Sequence, residues 1–212
     1  MTLYLDSALI SDAEEARDLG WITGITTNPK LLAKSDLPPE TTLKRLAALI
    51  DGEVFYQLTA ADLSGMLAEA ELVHGILGEQ AVLKIPANST GFKALARLSK
   101  EIPSSVTAIF HPAQALLASA AGAKYAIAYV NRTTSLLGDG VGFVREIAVL
   151  LKDSRTQILA ASIKSPQEAV ATMNAGAHVL TLPLDVHKSL TNHPLSEETI
   201  LDFYKNGLGL RS

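Results

Sequence analysis

The chain has 212 residues, of which 48% are hydrophobic and 19% charged, and this size predicts one large domain, residues 1–212, better than two small ones. The formal net charge of −4 provides no basic field for nucleic acid or an anionic membrane, so we expect neither as a partner. The chain has no cysteine, which excludes disulfides, thiolate catalysis and cysteine metal sites and makes a reducing cytoplasm the expected compartment.

Short apolar runs alternate along the chain with segments of helical periodicity. Eight of these runs are predicted to be strands, and most are apolar throughout, which is typical of parallel strands covered on both faces. None approaches the roughly 18 residues that a membrane span needs. The eight predicted strands are Leu3–Asp6, Ile22–Thr26, Val54–Thr59, Ala81–Ile85, Val106–Phe110, Ala126–Val130, Gln157–Ser162 and His178–Leu182.

The segments between the strands carry the end signals of helices. Ser11 begins a capping-box sequence ahead of the first helix, and Pro39 suits the first turn of the helix before the third strand. Gly176 follows an Ala-rich run and suits its C-terminal cap. After the eighth strand, a last helix is predicted to open at Ser196.

Eight strand–helix repeats predict a (β/α)₈ TIM barrel with an extra C-terminal helix. An open, doubly wound sheet would show the same alternation, and the count of eight favours a closed barrel. In such barrels the chemistry is located at the C-terminal ends of the strands and in the loops that follow them. We therefore expect the functional residues at those positions.

Lys84 is the most informative of the residues at the strand ends, because it lies within the apolar run AVLKIP. Lysine is rarely buried without a purpose, although its stem could lie along the barrel wall with the ammonium in solvent. If the ammonium is desolvated, its pKa falls from about 10.4 and part of the amine becomes neutral and nucleophilic. Lys84 is therefore a candidate for covalent chemistry.

Other strand ends carry polar residues that have both a structural and a functional interpretation. Asp6 could cap the turn after the first strand or supply a carboxylate for proton transfer. Gln57 and Tyr129 could pack at the rim or hold a water between them. Arg132 could be a solvated surface residue, but with Ser162 after the next strand it would suit a phosphate, whose oxygens match its donors.

Motifs for metal or nucleotide binding are absent from the sequence. Gly138–Gly140 is predicted to be an ordinary turn, and no glycine-rich dinucleotide or phosphate-loop fingerprint occurs. The histidines lack the spacing of metal ligands, so we expect no metal site. They are His74, His111, His178, His187 and His193.

Several short segments, spread over nearly the whole chain, match a known family in their order and spacing. They are GITTNP (Gly24–Pro29), VLKIP (Val82–Pro86), VTAIF with AQALLASAAGA, YVNR (Tyr129–Arg132), ILAAS (Ile158–Ser162), and TLPLDV with NHPL. Each is modestly specific alone, but together they resemble the small transaldolase-like family of class I aldolases. The resemblance implies a barrel fold, a covalent Schiff base, no metal or organic cofactor, and homo-oligomeric rings of five subunits, sometimes paired into decamers.

The resemblance also implies catalytic roles for particular residues. Lys84 corresponds to the nucleophile that forms the Schiff base. Asp6 corresponds to the acid/base that takes a hydroxyl proton as the carbon–carbon bond breaks. Gln57, Thr107 and Tyr129 correspond to the group that positions the catalytic water.

Four further residues correspond to substrate contacts of the family. Thr26 and Asn28 are expected to contact hydroxyl groups of the donor. Arg132 and Ser162 are expected to bind the substrate phosphate. The implied ligand is a sugar phosphate or a dihydroxyacetone-type substrate.

Two branches of the family differ near the catalytic water. Transaldolases transfer a dihydroxyacetone unit between sugar phosphates and usually carry Glu and Phe where this chain has Gln57 and Tyr129. Fructose-6-phosphate aldolases release or add free dihydroxyacetone, and they carry Gln and Tyr. We therefore expect a lyase that cleaves or forms a ketose phosphate, such as fructose 6-phosphate from glyceraldehyde 3-phosphate. The alternatives are a transaldolase, a catalytically inactive barrel that binds sugar phosphate, and an isomerase.

Some positions depart from the family pattern. Ile127 stands where Ala or Ser is usual near the donor's terminal hydroxyl, and Ala128 stands in place of Pro. Lys30 replaces Ser or Thr and adds a cation near the barrel mouth. His111 lies where small residues are typical. We therefore expect the reaction type to carry over better than the substrate does.

Overall fold

The computed structural model describes residues 2–210, which contain a closed barrel of eight parallel strands in chain order. Each strand pairs with its neighbours in sequence, and the last strand pairs with the first. This confirms the predicted (β/α)₈ barrel. The strands are β1 (Thr2–Asp6), β2 (Ile25–Thr26), β3 (Val54–Gln57), β4 (Ala81–Pro86), β5 (Ser104–Ile109), β6 (Tyr125–Tyr129), β7 (Gln157–Ala161) and β8 (Val179–Leu182).

Helices connect the strands and cover the outside of the barrel. A 3₁₀ turn, Gly78–Gln80, leads into β4. The extra C-terminal helix is confirmed as α11. The helices are α1 (Ile10–Leu19), α2 (Pro29–Leu32), α3 (Pro39–Leu49), α4 (Leu63–Leu77), α5 (Ser89–Leu98), α6 (Pro112–Ala120), α7 (Val130–Leu137), α8 (Gly140–Leu150), α9 (Pro166–Asn174), α10 (Leu184–Ser189) and α11 (Pro194–Asn206).

The strands have two buried faces, which explains their uniformly apolar composition. On β6, Tyr125, Ile127 and Tyr129 pack within the barrel interior, whereas Ala126 and Ala128 pack against the helical layer. Successive side chains of a strand alternate between its two faces. Ile127, one of the departures from the family pattern, is fully buried in the interior cluster and does not line the cavity described below.

The N-terminal end of the barrel is closed by a group that we call the floor cluster: Tyr4, Glu53, Phe55, Lys124 and Tyr125. Both tyrosine hydroxyls donate to Glu53 Oε2, at 2.6 and 2.7 Å, and Lys124 Nζ lies 2.7 Å from Oε1. The Phe55 ring lies between the two tyrosine rings, with centroid distances of 5.6 and 5.5 Å. The polar groups at this end are therefore paired with one another.

Two strands were predicted to extend two or more residues beyond their observed ends. The second strand was expected over Ile22–Thr26, but β2 comprises only Ile25–Thr26. The third was expected to reach Thr59, but β3 ends at Gln57. The reason at β3 is local, because the backbone N–H of Thr59 donates to the Glu69 carboxylate at 2.9 Å and leaves the strand ladder.

The capping box expected at Ser11 is wrong. Helix α1 begins at Ile10, so Ser11 lies inside its first turn. Ser7 organises this turn instead. Its Oγ accepts the Leu9 N–H at 3.1 Å and donates to Asp12 Oδ2 at 2.6 Å.

Helix α11 begins at Pro194, two residues before the expected start at Ser196, and His193 Nδ1 caps it. None of its residues is buried. Its large apolar side chains are exposed, including Phe203 at 66% and Tyr204 at 82%. Among residues 2–210, no helix combines the length and hydropathy needed to cross a membrane.

Candidate active site

A cavity of about 500 Å³ opens at the C-terminal ends of the barrel strands, and we call it the mouth cavity. The barrel topology brings together residues that are far apart in sequence. Eight of the nine residues selected from the sequence line this cavity, and only Thr26 does not. The eight are Asp6, Asn28, Gln57, Lys84, Thr107, Tyr129, Arg132 and Ser162.

Lys84 lies on β4 with only 3% of its surface exposed. Its Nζ donates a hydrogen bond of 2.8 Å to the backbone carbonyl of Thr27. Burial lowers the pKa of Lys84 from 10.5 to about 8, against a smaller raising effect from the Asp6 charge. At pH 7, a pKa near 8 leaves about a tenth of the amine neutral, and a neutral amine is a nucleophile.

Asp6 is the last residue of β1 and lines the mouth cavity. Burial raises the pKa of its carboxyl, although the charge of Lys84 and a hydrogen bond from Thr26 lower it in part. A carboxyl with a raised pKa is a stronger base when ionised, which suits proton transfer.

Thr26 is fully buried beside Asp6. Its Oγ1 donates to Asp6 Oδ1 at 2.9 Å and lies 2.6 Å from Thr181 Oγ1 on β8. The side chain of Thr26 therefore contacts Asp6 and Thr181, and the expected contact with a donor hydroxyl stays a prediction. Thr181 was missed in the sequence, although its inward-facing position on an apolar strand was the available signal.

Tyr129 ends β6, and its hydroxyl lies 2.7 Å from Thr107 Oγ1. The Phe110 ring packs edge-on at 6.3 Å, and the Arg132 guanidinium lies 5.0 Å from the Tyr129 ring centroid. Burial raises the pKa of Tyr129, while the Thr107 hydrogen bond lowers it in part. The phenol is therefore protonated at neutral pH and can donate a hydrogen bond.

Gln57, at the end of β3, and Asn28, which follows β2, also line the mouth cavity. Gln57 is the register partner of Lys84 between β3 and β4. Asn28 caps α2, because its Oδ1 accepts the N–H groups of Lys30 and Leu31 at 3.0 Å. Its amide Nδ2 is consequently the part of the side chain that could serve a ligand.

Two non-glycine residues of the mouth cavity have left-handed backbone conformations, Ala108 and Ser162, both with φ of 60°. At Ala108 the register between β5 and β6 shifts, as it does at a β-bulge. Such conformations cost about 1–3 kcal/mol each and cluster at functional sites. Neither conformation could be anticipated from residue type, because alanine and serine rarely adopt a positive φ.

Besides Lys84, four cationic residues line the mouth cavity: Lys30, Lys34, Arg132 and Lys164. Within residues 2–210, none of them lies within 4.0 Å of a carboxylate oxygen. Sequence reasoning missed Lys34 and Lys164. Lys164 could have been found as a cation three residues after β7, whereas Lys34 follows the short helix α2, which the sequence did not predict.

Three of the histidines that were weighed as metal ligands form hydrogen bonds within the fold. His111 Nδ1 accepts the Ala113 N–H at 3.1 Å and caps α6. His178 Nδ1 accepts the Ile158 N–H at 3.1 Å. His187 is buried with its Nε2 3.0 Å from a backbone carbonyl. In the described part of the chain, no three His, Asp or Glu residues form a group that could hold a metal ion.

Solved structures with low sequence identity share this fold. Orotidine 5′-monophosphate decarboxylase from Metallosphaera sedula aligns with a TM-score of 0.63 and 17% identity, covering 98% of this chain and 100% of that one. A point variant of mandelate oxidase also aligns with a TM-score of 0.63, at 16% identity over 86% of this chain and 64% of that one. At these identities the likeness concerns the barrel alone.

Curated relatives are far more similar in sequence. A probable transaldolase from Exiguobacterium sibiricum is 38% identical over 207 residues, covering 96% of both chains. One from Clostridium acetobutylicum is 36% identical over 209 residues, covering 97% of both. One from Thermoplasma volcanium is 36% identical, covering 97% of this chain and 95% of the relative.

The sequence profile that matches the chain covers residues 3–208 and describes the group named Transaldolase/Fructose-6-phosphate aldolase. The match extends from β1 through α11, so it includes every strand that contributes to the mouth cavity. It agrees with the resemblance found in the sequence motifs. With nearly full-length coverage by both the profile and the relatives, this chain belongs to the transaldolase/fructose-6-phosphate aldolase family.

Proposed function

We propose that this protein is a class I aldolase in which Lys84 forms a Schiff base with a ketose phosphate such as fructose 6-phosphate. One observation carries the proposal. The Lys84 amine is buried at the mouth of the barrel, and its pKa is lowered to about 8. The Asp6 carboxyl lines the same cavity, and its charge partly offsets this lowering of the Lys84 pKa. Perturbed ionisable groups that share a cavity are typical of catalytic sites.

The first step is formation of the imine. The neutral amine of Lys84 adds to the carbonyl carbon (carbon 2) of the ketose, and the resulting carbinolamine loses water to give an iminium ion. The iminium is the electron acceptor for the later bond cleavage, so the reaction needs no metal or organic cofactor.

In the second step, the Asp6 carboxylate removes the proton from the hydroxyl on carbon 4. The bond between carbons 3 and 4 breaks, its electron pair converts the iminium to an enamine, and the aldehyde leaves. Asp6 must therefore be fixed in position, and its hydrogen bond from Thr26 at 2.9 Å does this. In this proposal Thr26 is a positioning residue for Asp6.

In the third step, the donor is released. Carbon 3 of the enamine takes a proton, water adds to carbon 2 of the iminium, and the carbon–nitrogen bond breaks to return dihydroxyacetone and the free amine. The paired hydroxyls of Tyr129 and Thr107, with Gln57 in the same cavity, hold this water. Asn28 contacts a donor hydroxyl, and the phosphate binds at Arg132 and Ser162.

A transaldolase is the second candidate function, and the curated names of the relatives favour it. A transferase would keep the enamine until an acceptor aldose phosphate arrives. Its active site should therefore hold the hydrolytic water weakly. The Tyr129 hydroxyl in the mouth cavity favours an aldolase over a transaldolase, since it can deliver water to the imine and so speed release of the donor. A barrel that binds sugar phosphate without turnover is the third candidate, but it would have no use for a buried Lys84 amine whose pKa is lowered.

The proposal extends to the organisation of the protein. We expect one catalytic domain over residues 1–212, located in the cytoplasm and assembled as a homo-oligomer of five or ten subunits. The exposed apolar side chains of α11 support self-association, because monomeric proteins rarely expose contiguous apolar surface. Light scattering of the purified protein measures the oligomeric state, and a monomer would contradict this part.

Product analysis tests the reaction. The protein is incubated with fructose 6-phosphate, with and without erythrose 4-phosphate, and the products are quantified by mass spectrometry. We expect dihydroxyacetone and glyceraldehyde 3-phosphate without an acceptor. Products that appear only with erythrose 4-phosphate would identify a transaldolase, and no product under either condition, with imine trapping also negative, would contradict both.

A further inference from the structure

The cations of the mouth cavity lie on two sides of the barrel. Lys30 and Lys34 belong to α2 and the turn after it, which follow β2, whereas Arg132 belongs to α7, which follows β6. In the closed order of eight strands, β2 and β6 are four positions apart and therefore opposite each other. Lys164, after β7, lies between these two groups on the side of Arg132.

The charges in the cavity do not match a substrate with one phosphate. Lys30, Lys34, Arg132 and Lys164 face a single lining carboxyl, that of Asp6. A phosphate monoester carries about −1.5 to −2 charges at pH 7, so one phosphate at Arg132 and Lys164 would leave the α2 lysines uncompensated. Clustered cations without counterions repel one another and attract anions.

Neighbouring acids do not neutralise the α2 lysines. Asp12 and Asp185 line an adjoining cavity together with Lys34 and Lys164, but neither carboxylate lies within ion-pair distance of a lysine in the described residues. Asp12 instead accepts the Ser7 hydroxyl at 2.6 Å. Lys34 and Asp6 line both cavities together, and the positive charge of Lys34 contributes to lowering the Asp6 pKa.

We infer that Lys30 and Lys34 bind a second phosphate of the substrate, so that the preferred ketose is a bisphosphate whose donor half is itself phosphorylated. This inference rests on the proposed function. It assigns the second phosphate to carbon 1, because Lys30 is two residues from Asn28, the proposed donor contact, and lies opposite Arg132. The aldehyde phosphate then lies at Arg132 and Ser162, and the reacting carbons lie between, at Lys84 and Asp6.

The test compares cleavage of fructose 1,6-bisphosphate with cleavage of fructose 6-phosphate at low ionic strength. We expect the wild type to have the higher kcat/KM for the bisphosphate. In the double variant Lys30→Met/Lys34→Met, the ratio of the two kcat/KM values should fall by at least about tenfold. The charge-conserving variant Lys30→Arg/Lys34→Arg should largely restore it, which a merely structural role would not explain.

Two comparisons complete the test. Lys152→Met, a change of an exposed lysine that follows α8 at the opposite end of the barrel, should leave both kcat/KM values within about twofold. Arg132→Met should instead lower kcat/KM for both substrates. A wild type that prefers the monophosphate, or a ratio that the double variant leaves unchanged, would overturn the inference.

Borohydride trapping separates this failure from failure of the proposed function. If dihydroxyacetone is trapped on Lys84 but the bisphosphate preference is absent, the second phosphate site is wrong and the aldolase proposal stands. If neither dihydroxyacetone nor dihydroxyacetone phosphate is trapped on Lys84, both are wrong. Trapping that favours dihydroxyacetone phosphate in the wild type, and loses that preference in Lys30→Met/Lys34→Met, supports both.

Discussion

The two ends of the barrel interior are built from the same strands but have opposite chemical character. At the floor, Tyr4 on β1 and Tyr125 on β6 share the Glu53 carboxylate, which Lys124 neutralises. At the mouth, the same strands supply Asp6 and Tyr129. There the nearest hydrogen-bond partner of the buried amine is a backbone carbonyl.

The difference shows how one scaffold separates stability from reactivity. A buried polar group that is fully paired stabilises the fold and has little free energy to gain from a ligand. A desolvated amine without a carboxylate bonded to it is costly, and its pKa falls instead. The floor should therefore respond to mutation mainly in stability, and the mouth mainly in activity.

The largest expected effect is on turnover in Lys84→Met. Without the amine no imine forms, and we expect kcat to fall on the order of 10⁴-fold or more. The matched control is Lys124→Met, which removes the floor lysine and should keep kcat within about twofold. Steady-state cleavage assays measure kcat for both variants. Activity near that of the wild type in Lys84→Met would contradict the Schiff-base mechanism.

The next largest effect is expected for Asp6→Asn. Loss of the acid/base should lower kcat by about 10²–10⁴-fold, while trapping of dihydroxyacetone on Lys84 should persist because the amine is intact. Urea unfolding should show no loss of stability, since burial already disfavours the Asp6 charge. Equal loss of trapping and turnover would mean that Asp6 acts on imine formation and not on bond cleavage.

At the floor, Glu53→Ala should give the reverse result. Removing the carboxylate leaves two buried tyrosine hydroxyls without their acceptor, which should lower the free energy of unfolding by about 2–4 kcal/mol. The kcat should stay within about twofold of wild type at a temperature where the variant is folded. A large loss of kcat without a loss of stability would contradict the proposal that the floor serves stability and the mouth serves activity.

The pH dependence of stability should identify the desolvated amine. The pKa of Lys84 is lowered in the folded state, so the unfolded chain binds more protons between pH 8 and 10.5. Stability rises with pH wherever the unfolded state binds more protons. Relative to Lys84→Met, the wild type should therefore gain roughly 2 kcal/mol between pH 7 and 10, and urea unfolding at both pH values measures this gain. A constant difference would place the Lys84 pKa near its ordinary value.

The smallest effect is expected for Tyr129→Phe. Losing the hydroxyl that pairs with Thr107 should lower cleavage of fructose 6-phosphate and raise the ratio of transfer to cleavage by about 3- to 10-fold. The ratio is measured with erythrose 4-phosphate as acceptor. Thr107→Val removes the other half of the 2.7 Å contact and should change the ratio in the same direction. An unchanged ratio in Tyr129→Phe would remove the main argument for an aldolase over a transaldolase.

The barrel and most of its mouth could be predicted from the sequence, because two rules suffice for them. Parallel strands covered on both faces are uniformly apolar, so a polar residue such as Lys84 or Asp6 at the end of such a run is conspicuous. The closed topology then brings the strand ends together. Eight of the nine selected residues line one cavity for this reason.

The rest depends on local geometry that composition does not encode. The four-residue helix α2 places Lys34 at the cavity. A bulge in β5, where Ala108 has a left-handed conformation, places Ala108 there. Thr26 was predicted to contact the substrate, and its pairing with Asp6 across the strand ladder was not anticipated. Such positions require the register between strands, which a single sequence does not show.

The Schiff-base role of Lys84 is tested most sharply by borohydride reduction of the protein in the presence of dihydroxyacetone, followed by peptide mass spectrometry. We expect a donor-dependent mass gain on the peptide that contains Lys84, increasing as the pH is raised from 6 toward 8, because the neutral amine is the nucleophile. The Lys84→Met variant should show no such adduct. An adduct on another lysine, or none with any carbonyl donor, would contradict the assignment of Lys84 as the Schiff-base residue.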